Sequence, residues 1–308
     1  MSQAPVLAVD VGGTNIRAAI INASGAILDE KRIQADLSQQ DILEHEILSI
    51  LSDFLLDILQ TSEPIQAIGI GFPGFFIQDS GVIAASPNLP KLIHFPLTEK
   101  LTHMLHIPVK AQNDALCAAI GEHRFGAGQG KKSLLHITLG TGIGGGLILN
   151  HTPYTGETGM AMEFGHICVD YHANARRCGC GNDGCVEAYA SATSIADRYA
   201  EKTHTHCNTQ AICQAAMDDE IHAIEILAES GTYLGKAIAE AIKLLDVHTV
   251  TISGGVVGAW QFLYPQMMTS LNQHLVPPLK EHIHILPSSL GDHAGILGAA
   301  SIAFEGIN

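Results

Sequence analysis

The chain carries the same strand–turn–strand pattern twice, each time around a turn rich in glycine and threonine. The first turn, residues 11–14, separates short apolar runs at residues 7–10 and 16–20. The second, residues 140–146, separates runs at residues 134–139 and 147–149. Turn residues between two β-capable runs predict hairpins. The two turns are too far apart for a short repeat period, so the pattern predicts two α/β domains built on one plan.

The periodicity of the remaining sequence supplies the other elements of such domains. Helical spacing runs over residues 42–59, 98–105, 194–198 and 220–245, and residues 67–71, 109–111 and 249–253 are short apolar runs typical of buried strands. A further helix follows Asn113 and Asp114, and an alanine-rich helix closes the chain. We expect a smaller N-terminal domain of residues 1–117 with 293–308, and a larger C-terminal domain of residues 118–292.

The composition and the net charge restrict the classes of function that this chain can have. The formal net charge of -15 disfavours a nucleic-acid partner, since the phosphate backbone is bound by a basic surface. No segment reaches the roughly 18 consecutive apolar residues of a membrane span, and the N-terminus lacks the basic start and cleavage site of a signal peptide. Seven cysteines without a secretion signal indicate a reducing compartment, the cytoplasm, and a metal site rather than a disulfide framework.

The most specific motif is a cysteine cluster. Cys178, Cys180 and Cys185 fall within eight residues, and His166 lies twelve residues upstream. Three thiolates and one imidazole form a complete tetrahedral set for Zn²⁺, and a closed set of four ligands indicates a structural rather than a catalytic metal. The metal therefore holds its neighbours in place, which directs attention to Glu163 and Glu187.

The two glycine turns have the composition of phosphate-binding loops. Glycines let backbone amides approach an anion closely, and Asp10, at the end of the first strand, could hold Mg²⁺ through water. A bare hairpin turn is the alternative for either turn alone. Neither matches the Walker pattern or the dinucleotide fingerprint. Two such turns in one chain favour a clamp around a nucleoside triphosphate.

Asn113 and Asp114 lie between a strand and a helix. Both residue types are common helix N-caps, and a carboxylate is also what phosphoryl transfer needs to accept a proton from an attacking hydroxyl. The two roles are compatible, because a carboxylate at the start of a helix is held in place.

Taken in order, these motifs closely resemble the ROK family of bacterial sugar kinases and sugar-responsive repressors. The resemblance spans residues 6 to about 304, and the cysteine motif is its most specific part. The glycine turns are shared with the wider actin and hexokinase superfamily. The motifs are Asp10-x-Gly-Gly-Thr14, Gly71-Phe-Pro-Gly74, Pro87-Asn-Leu-Pro90, Asn113-Asp114, Leu139-Gly-Thr-Gly142, Glu163-x-Gly-His166, Cys178-x-Cys-Gly-x-x-Gly-Cys185-x-Glu187 and Ser253-Gly-Gly255.

The resemblance implies an α/β fold of two actin-like (hexokinase-like ATPase) domains with an interdomain cleft. It implies ATP, Mg²⁺ and a structural Zn²⁺, with Asp114 as the general base that activates the 6-hydroxyl of a hexose and Asp10 orienting Mg²⁺. The nucleotide would be bound by Asp10, Gly12, Gly13, Thr14, Asn15, Arg17, Gly140, Thr141, Gly142, Gly144, Gly254, Gly255 and Val256. The sugar would contact Gly74, Asn88, Asn113, Asp114, Glu163, His166 and Glu187. The zinc ligands would be His166, Cys178, Cys180 and Cys185.

The leading interpretation is an ATP-dependent kinase for N-acetylglucosamine or glucose. Allose, fructose and N-acetylmannosamine are the alternative sugars. Repressors of the family carry an additional helix-turn-helix before the first strand, which here begins at Val6. A non-catalytic sugar-sensing regulator is disfavoured by the presence of Asp114 and both glycine turns. Dimers are common among relatives, so a homodimer is compatible with the resemblance.

Two residues depart from the family pattern. Met162 precedes Glu163 where many relatives have glycine, which could alter the edge of the sugar pocket. Asn15 stands where many sugar kinases have lysine, which removes a charge beside the phosphates that Arg17 could replace.

Overall fold

The computed structural model describes residues 4–13, 15–35, 37, 43–60, 62–78 and 80–306, which form two compact units. The first unit contains residues 1–130, 146–161 and 292–308, and the second contains residues 131–145 and 162–291. The division expected after residue 117 falls inside a helix. That helix packs along its length on the last helix of the chain, within the first unit.

Regular elements follow one another from Val6 to Glu305. The strands are β1 Val6–Val11, β2 Asn15–Ile21, β3 Ile27–Gln34, β4 Ile68–Phe72, β5 Phe75–Phe76, β6 Ile83–Ala85, β7 Val109–Asn113, β8 Leu134–Leu139, β9 Ile143–Leu149, β10 Thr152–Pro153, β11 Thr249–Ser253 and β12 His284–Pro287. The helices are α1 Glu44–Leu59, α2 Leu97–Leu105, α3 Asp114–Phe125, α4 Glu187–Ala190, α5 Ala192–Thr203, α6 Thr209–Met217, α7 Ile221–Leu245, α8 Trp260–His274 and α9 Ala294–Glu305. Short 3-10 turns occur at Phe164–His166, Gly255–Ala259, Pro277–Leu279 and Gly291–His293.

The sheet of the first unit has the strand order β3-β2-β1-β4-β7. Strand β1 pairs antiparallel with β2 and parallel with β4, and β4 pairs parallel with β7. Both predicted features of this region, the opening hairpin and the strand at residues 67–71, are therefore present, and the structure shows that this strand is parallel to β1.

The two faces of this sheet carry side chains of different size. On β1, Leu7 and Val9 join a core cluster with residues of α1 and α2. The intervening position is Ala8, and its parallel neighbour on β4 is Gly69. A Cβ on Gly69 would lie 1.8 Å from the carbonyl oxygen of Ala299, so α9 packs directly against the backbone of the small-residue face.

A second five-stranded sheet has the order β10-β9-β8-β11-β12, in which β11 pairs parallel with both β8 and β12. In the second unit, α7 packs against α8 at two glycines. A Cβ on Gly231 would lie 2.2 Å from the carbonyl oxygen of Leu263, and one on Gly235 would lie 2.3 Å from that of Met267. Among the described residues, no helix has the length and apolar character that spanning a membrane requires.

Candidate active site

The first glycine turn joins β1 to β2 in the first unit. Asp10 pairs with Arg17 across the hairpin, and the Gly12 amide donates to the carbonyl oxygen of Asn15 at 2.9 Å. Gly12 and Gly13 are exposed, and no atom lies within 4 Å of a Cβ added to Gly13. The turn is thus an open cradle of backbone. The predicted nucleotide ligand Thr14 lies outside the described residues.

Arg17, predicted to bind phosphate, is engaged by protein acceptors. Its Nε and Nη2 donate to Glu30 Oε1 at 3.1 and 2.9 Å, and its Nη1 donates to the carbonyl oxygen of Asp292 at 2.6 Å. The side chain is buried. Its charge still acts on the turn, because it lowers the pKa of the adjacent Asp10. Burial and the charge of Asp114 raise that pKa by more.

Asp10 and Asp114 form an acidic pair in the first unit. Burial is the main cause that raises the pKa of Asp10 to about 6, and the charge of Asp114 is the next. Burial also raises the pKa of Asp114, whose Oδ1 accepts from the Ala115 amide at 2.9 Å. A carboxyl with a raised pKa is suited to accept a proton near neutral pH, and two carboxyls whose charges repel each other are a candidate site for a divalent cation.

The position of Asp114 follows from how α3 begins. Asn113 is its N-cap, with Oδ1 accepting from the Leu116 amide at 3.1 Å. Asn113 Nδ2 donates to the carbonyl oxygen of Gly74 at 3.2 Å, which links the start of α3 to the turn after β4. One turn along α3, Cys117 is fully buried, and desolvation with the two nearby carboxylates raises the pKa of its thiol.

Asn88, predicted to contact the sugar, is exposed in the loop after β6. The residue that fixes this loop, Ser86, was not predicted from the sequence. Ser86 Oγ donates to the carbonyl oxygen of Pro73 at 2.7 Å and so ties the loop to the turn that contains Gly74. The burial of Ser86 is visible only in the structure, so no signal in the sequence indicated this contact.

The second glycine turn is shorter than the predicted residues 140–146, because β9 already begins at Ile143: residues 140–142 join β8 to β9, and Gly144 lies within β9. The Gly140 amide donates to the carbonyl oxygen of Gly142 at 3.0 Å, and the Ile143 amide donates to Glu187 Oε2 at 2.8 Å. A Cβ on Gly142 would lie 2.6 Å from that same oxygen. Glycine at position 142 therefore lets the Glu187 carboxylate pack against the turn.

Gly254 and Gly255 follow β11, whose last residue pairs with Thr138 near the end of β8. Gly254 has φ +99°, and its Cβ would lie 2.1 Å from the carbonyl oxygen of Leu139, so only glycine fits there. Gly255 is exposed, while Val256 is fully buried. The two predicted nucleotide loops of the second unit consequently lie side by side at the carboxyl ends of paired parallel strands.

The four predicted metal ligands are brought together in the second unit. One ligand atom from each of His166, Cys178, Cys180 and Cys185 lies within 4.8 Å of all the others. The Sγ atoms of Cys180 and Cys185 are 3.7 Å apart, and Cys178 Sγ lies 3.7 Å from His166 Nδ1. Tetrahedral zinc with Zn–S bonds of about 2.3 Å requires S–S separations of about 3.8 Å. The donor set can therefore hold a tetrahedral metal ion.

Two predicted sugar ligands flank this cluster. His166 Nε2 lies 3.7 Å from Glu163 Oε2, so its ring presents one nitrogen to the thiols and the other to a carboxylate. On the other side, Glu187 Oε1 lies 3.6 Å from Cys178 Sγ. Metal-bound histidines usually donate their second nitrogen to an oxygen acceptor. Met162, next to Glu163, adopts φ +73°.

Each unit thus gathers its own share of the predicted residues. The first unit brings together Asp10, Gly74, Asn113 and Asp114, and the second brings together the cysteine cluster, Glu187 and the turn at residues 140–142.

Known proteins resemble this chain over nearly its whole length. A model of the ROK family matches residues 6–305. A glucokinase from Halalkalibacterium halodurans is 34% identical over 97% of this chain and 94% of its own length. An N-acetylmannosamine kinase from Escherichia coli is 34% identical over 96% of this chain and 97% of its own length. A crystal structure of a ROK family glucokinase from Streptomyces griseus, in complex with glucose and AMPPNP, is 28% identical with a TM-score of 0.84 and covers 98% of this chain and 99% of that one. The likeness confirms the expected actin-like α/β fold class with two domains.

Proposed function

The chain belongs to the ROK family and is a sugar kinase, and we propose that it transfers the γ-phosphoryl group of ATP to the 6-hydroxyl of N-acetylglucosamine or glucose. The observation that carries the proposal is the half-buried carboxyl of Asp114, held at the start of α3 by the Asn113 N-cap. Phosphoryl transfer demands little covalent chemistry of the protein beyond positioning, charge stabilisation and a base for the attacking hydroxyl.

In the proposed mechanism Asp114 accepts the proton of the sugar hydroxyl as that oxygen attacks phosphorus. A carboxylate with a raised pKa is a stronger base than an ordinary aspartate, and a base works best when its pKa approaches the working pH. Asp10 would hold Mg²⁺ through water, and the ion supplies charge neutralisation at the phosphates. The positive charge of the ion would also lower the raised pKa of Asp10 on binding.

We propose the remaining nucleotide and sugar ligands because they match the family's motifs, and for some of them because the structure leaves them exposed. Open backbone at Gly12, Gly13 and Gly255 supports phosphate and nucleotide binding. Asn15 and Arg17 stay predicted nucleotide ligands, although the guanidinium of Arg17 would have to exchange a protein acceptor for a phosphate oxygen. The sugar would be bound by Gly74, Asn88, Asn113, Asp114, Glu163, His166 and Glu187.

We propose Zn²⁺ for the cysteine cluster, because its three thiols and one imidazole lie within 4.8 Å of one another and two of these separations are 3.7 Å, close to those of a tetrahedral site. With its Nδ1 bound to the metal, His166 would offer Nε2 to a sugar hydroxyl beside Glu163.

We also propose that the protein acts in the cytoplasm without a nucleic-acid partner, consistent with its net charge of -15 and its seven free cysteines. A homodimer remains part of the proposal.

Relatives named glucokinase and N-acetylmannosamine kinase reach the same identity of 34%, so the choice of sugar has to be measured. The test is ADP release from Mg-ATP with glucose, N-acetylglucosamine, N-acetylmannosamine, allose and fructose, comparing kcat/KM. We expect the highest value for N-acetylglucosamine or glucose. A higher value for another sugar would correct the acceptor, and no turnover with any of the five would refute the kinase.

The role of Asp114 is tested by Asp114→Asn, which preserves size and removes the base. General-base catalysis contributes about 10²–10⁴-fold, so kcat should fall by at least about 10²-fold while binding of the sugar persists. Retention of most of the wild-type kcat would exclude Asp114 as the base.

A further inference from the structure

The second glycine turn is fastened from outside by one short stretch of chain, residues 187–193, here called the strap. Three hydrogen bonds connect them. The Ile143 amide donates to Glu187 Oε2 at 2.8 Å, the Ala192 amide donates to the carbonyl oxygen of Gly140 at 2.9 Å, and Thr193 Oγ1 donates to the carbonyl oxygen of Thr141 at 2.9 Å. The turn is therefore held at Gly140, at Thr141 and at Ile143, the first residue of β9, by a segment distant in sequence.

The strap begins next to the metal cluster. Cys185 stands two residues before Glu187, and the Val186 amide between them donates to the carbonyl oxygen of Ile167 at 2.9 Å. The Glu187 carboxylate spans both features, with Oε2 on the turn and Oε1 at 3.6 Å from Cys178 Sγ. One carboxylate thus links the cysteine cluster to a loop predicted to bind nucleotide.

The turn joins the neighbouring strands β8 and β9, and the backbone of its own residues is intrinsically flexible. It is rich in glycine, which loses more conformational freedom on ordering than any other residue. Its internal contact is the bond from the Gly140 amide to the carbonyl oxygen of Gly142. Any loosening of the strap should consequently appear as increased motion of the turn.

We propose that Glu187 and Thr193 are positioning residues for the second glycine turn, and that metal bound in the cysteine cluster raises nucleotide affinity through them. The nucleotide part of this inference rests on the proposed function. Zinc ligation joins Cys178, Cys180 and Cys185 through one ion, which fixes the start of the strap. The metal then serves the nucleotide loop as well as the sugar pocket, without contacting either substrate.

Thr193 gives the cleanest test because it is exposed and lies outside the predicted sugar and nucleotide ligands. Thr193→Val removes the hydroxyl and keeps the shape of the side chain, whereas Thr193→Ser keeps the hydroxyl. Binding of the non-hydrolysable analogue AMPPNP with Mg²⁺ is measured calorimetrically on the zinc-loaded protein without sugar. A net hydrogen bond corresponds to about a threefold to tenfold change in affinity. Thr193→Val should therefore weaken nucleotide binding by that factor, and Thr193→Ser should bind nucleotide as the wild type does.

Thr269→Val is the matched control. Thr269 is also exposed and its hydroxyl also donates to a backbone carbonyl, that of Pro265 at 2.8 Å in α8. It should leave nucleotide affinity unchanged, and sugar affinity should be unchanged in both valine variants. Equal nucleotide affinities for Thr193→Val and Thr269→Val would overturn the role of Thr193.

A second measurement does not depend on nucleotide or turnover. Hydrogen exchange of the Ile143 amide and its neighbours at residues 140–142 is compared for the zinc-loaded protein, the chelated protein and Glu187→Ala. We expect faster exchange of these amides after chelation and in Glu187→Ala, with the amides of β1 unchanged. Unchanged exchange at the turn in a chelated, folded protein would refute the link between metal and turn. If the turn responds as expected but the zinc-loaded wild type binds no nucleotide, the link stands and the proposed function is what fails.

Discussion

The Asp10 carboxyl sits beside a second carboxyl and holds its proton more tightly than an exposed aspartate does. Its pKa is raised from 3.8 to about 6, chiefly by burial and then by Asp114, and this favours the protonated form in the folded protein. The stabilisation that comes from this proton is complete below the unfolded pKa and is lost as the pH rises through about 6. The ionised pair at neutral pH is thus a destabilising arrangement that a bound cation would relieve.

Asp10→Asn should therefore stabilise the metal-free protein more at pH 8 than at pH 5. The asparagine has no charge to desolvate, and by linkage the difference in unfolding free energy between variant and wild type should grow by about 1 kcal/mol over that interval. Urea unfolding without Mg²⁺ or nucleotide measures it. If this difference did not change with pH, the pKa of Asp10 would not be raised in the folded protein.

Met162 is held in a backbone conformation that favours glycine, with φ +73°. A non-glycine residue in the left-handed region costs roughly 1–2 kcal/mol. Glycine avoids this cost, but its greater conformational entropy in the unfolded chain offsets part of the gain in stability. Met162→Gly should raise the free energy of unfolding by about 0.5 kcal/mol.

The control for this substitution is Met160→Gly. Met160 is exposed and is not among the described residues with positive φ, so glycine there should only destabilise. If Met162→Gly destabilised the protein as much as Met160→Gly, the conformation at position 162 would carry no strain that glycine relieves.

Much of the site could be predicted from single residues, because metal ligands and helix caps follow local rules. Three cysteines and a histidine at these spacings come together as expected, and Asn113 caps α3 as its type favours. The bonds of Arg17 could not be predicted, since Glu30 lies on strand β3, which the sequence did not predict, and Asp292 is far away in sequence. The same holds for Thr193, whose partner is known only once the turn and α5 are in place.

At the scale of elements, close helix packing depends on glycines that the sequence pattern alone does not explain. A Cβ on Gly298 of α9 would lie 1.7 Å from the carbonyl oxygen of Cys117 in α3, and one on Gly121 of α3 would lie 2.1 Å from that of Ala294. The contact between these helices matters for the site, since Asp114 is the first residue of α3.

Gly298→Ala should therefore destabilise the protein by about 1–3 kcal/mol, because the added methyl group forces the two helices apart. The urea midpoint measures this loss. Gly258→Ala is the control: Gly258 is exposed, and nothing lies within 4 Å of its added Cβ, so the change there should stay within about 0.5 kcal/mol. Equal effects of the two substitutions would show that α3 and α9 tolerate a wider separation.

The elements that the sequence predicted are those with strong periodicity. The expected helix at residues 220–245 is α7, Ile221–Leu245, and the expected opening hairpin is β1 with β2. Helix α8 was missed, because Pro265 interrupts its pattern. Strand β3 was missed because it is largely exposed and carries four charged residues, and its existence depends on pairing with β2.

At the scale of the whole molecule, all four predicted metal ligands belong to the second unit. Cys180→Ser removes the exposed member of the set and should lower the unfolding temperature by an amount on the order of 5 °C, together with sugar affinity. Hydrogen exchange should show the loss of protection in the second unit, with the sheet of the first unit unaffected. Cys207→Ser, a thiol outside the cluster, is the control. Normal sugar affinity in a folded, zinc-free protein would contradict a structural role for the metal in the sugar site.

Helix α9 covers one face of the first sheet at strands β1, β4 and β7, although residues 294–305 follow the whole second unit in the sequence. A ribosome releases those strands early and then synthesises the entire second unit before residues 294–305 emerge. During that time the small-residue face of the sheet, with Ala8 and Gly69, lacks the helix that covers it in the finished protein. The unit whose synthesis begins first is thus the last to reach its native packing.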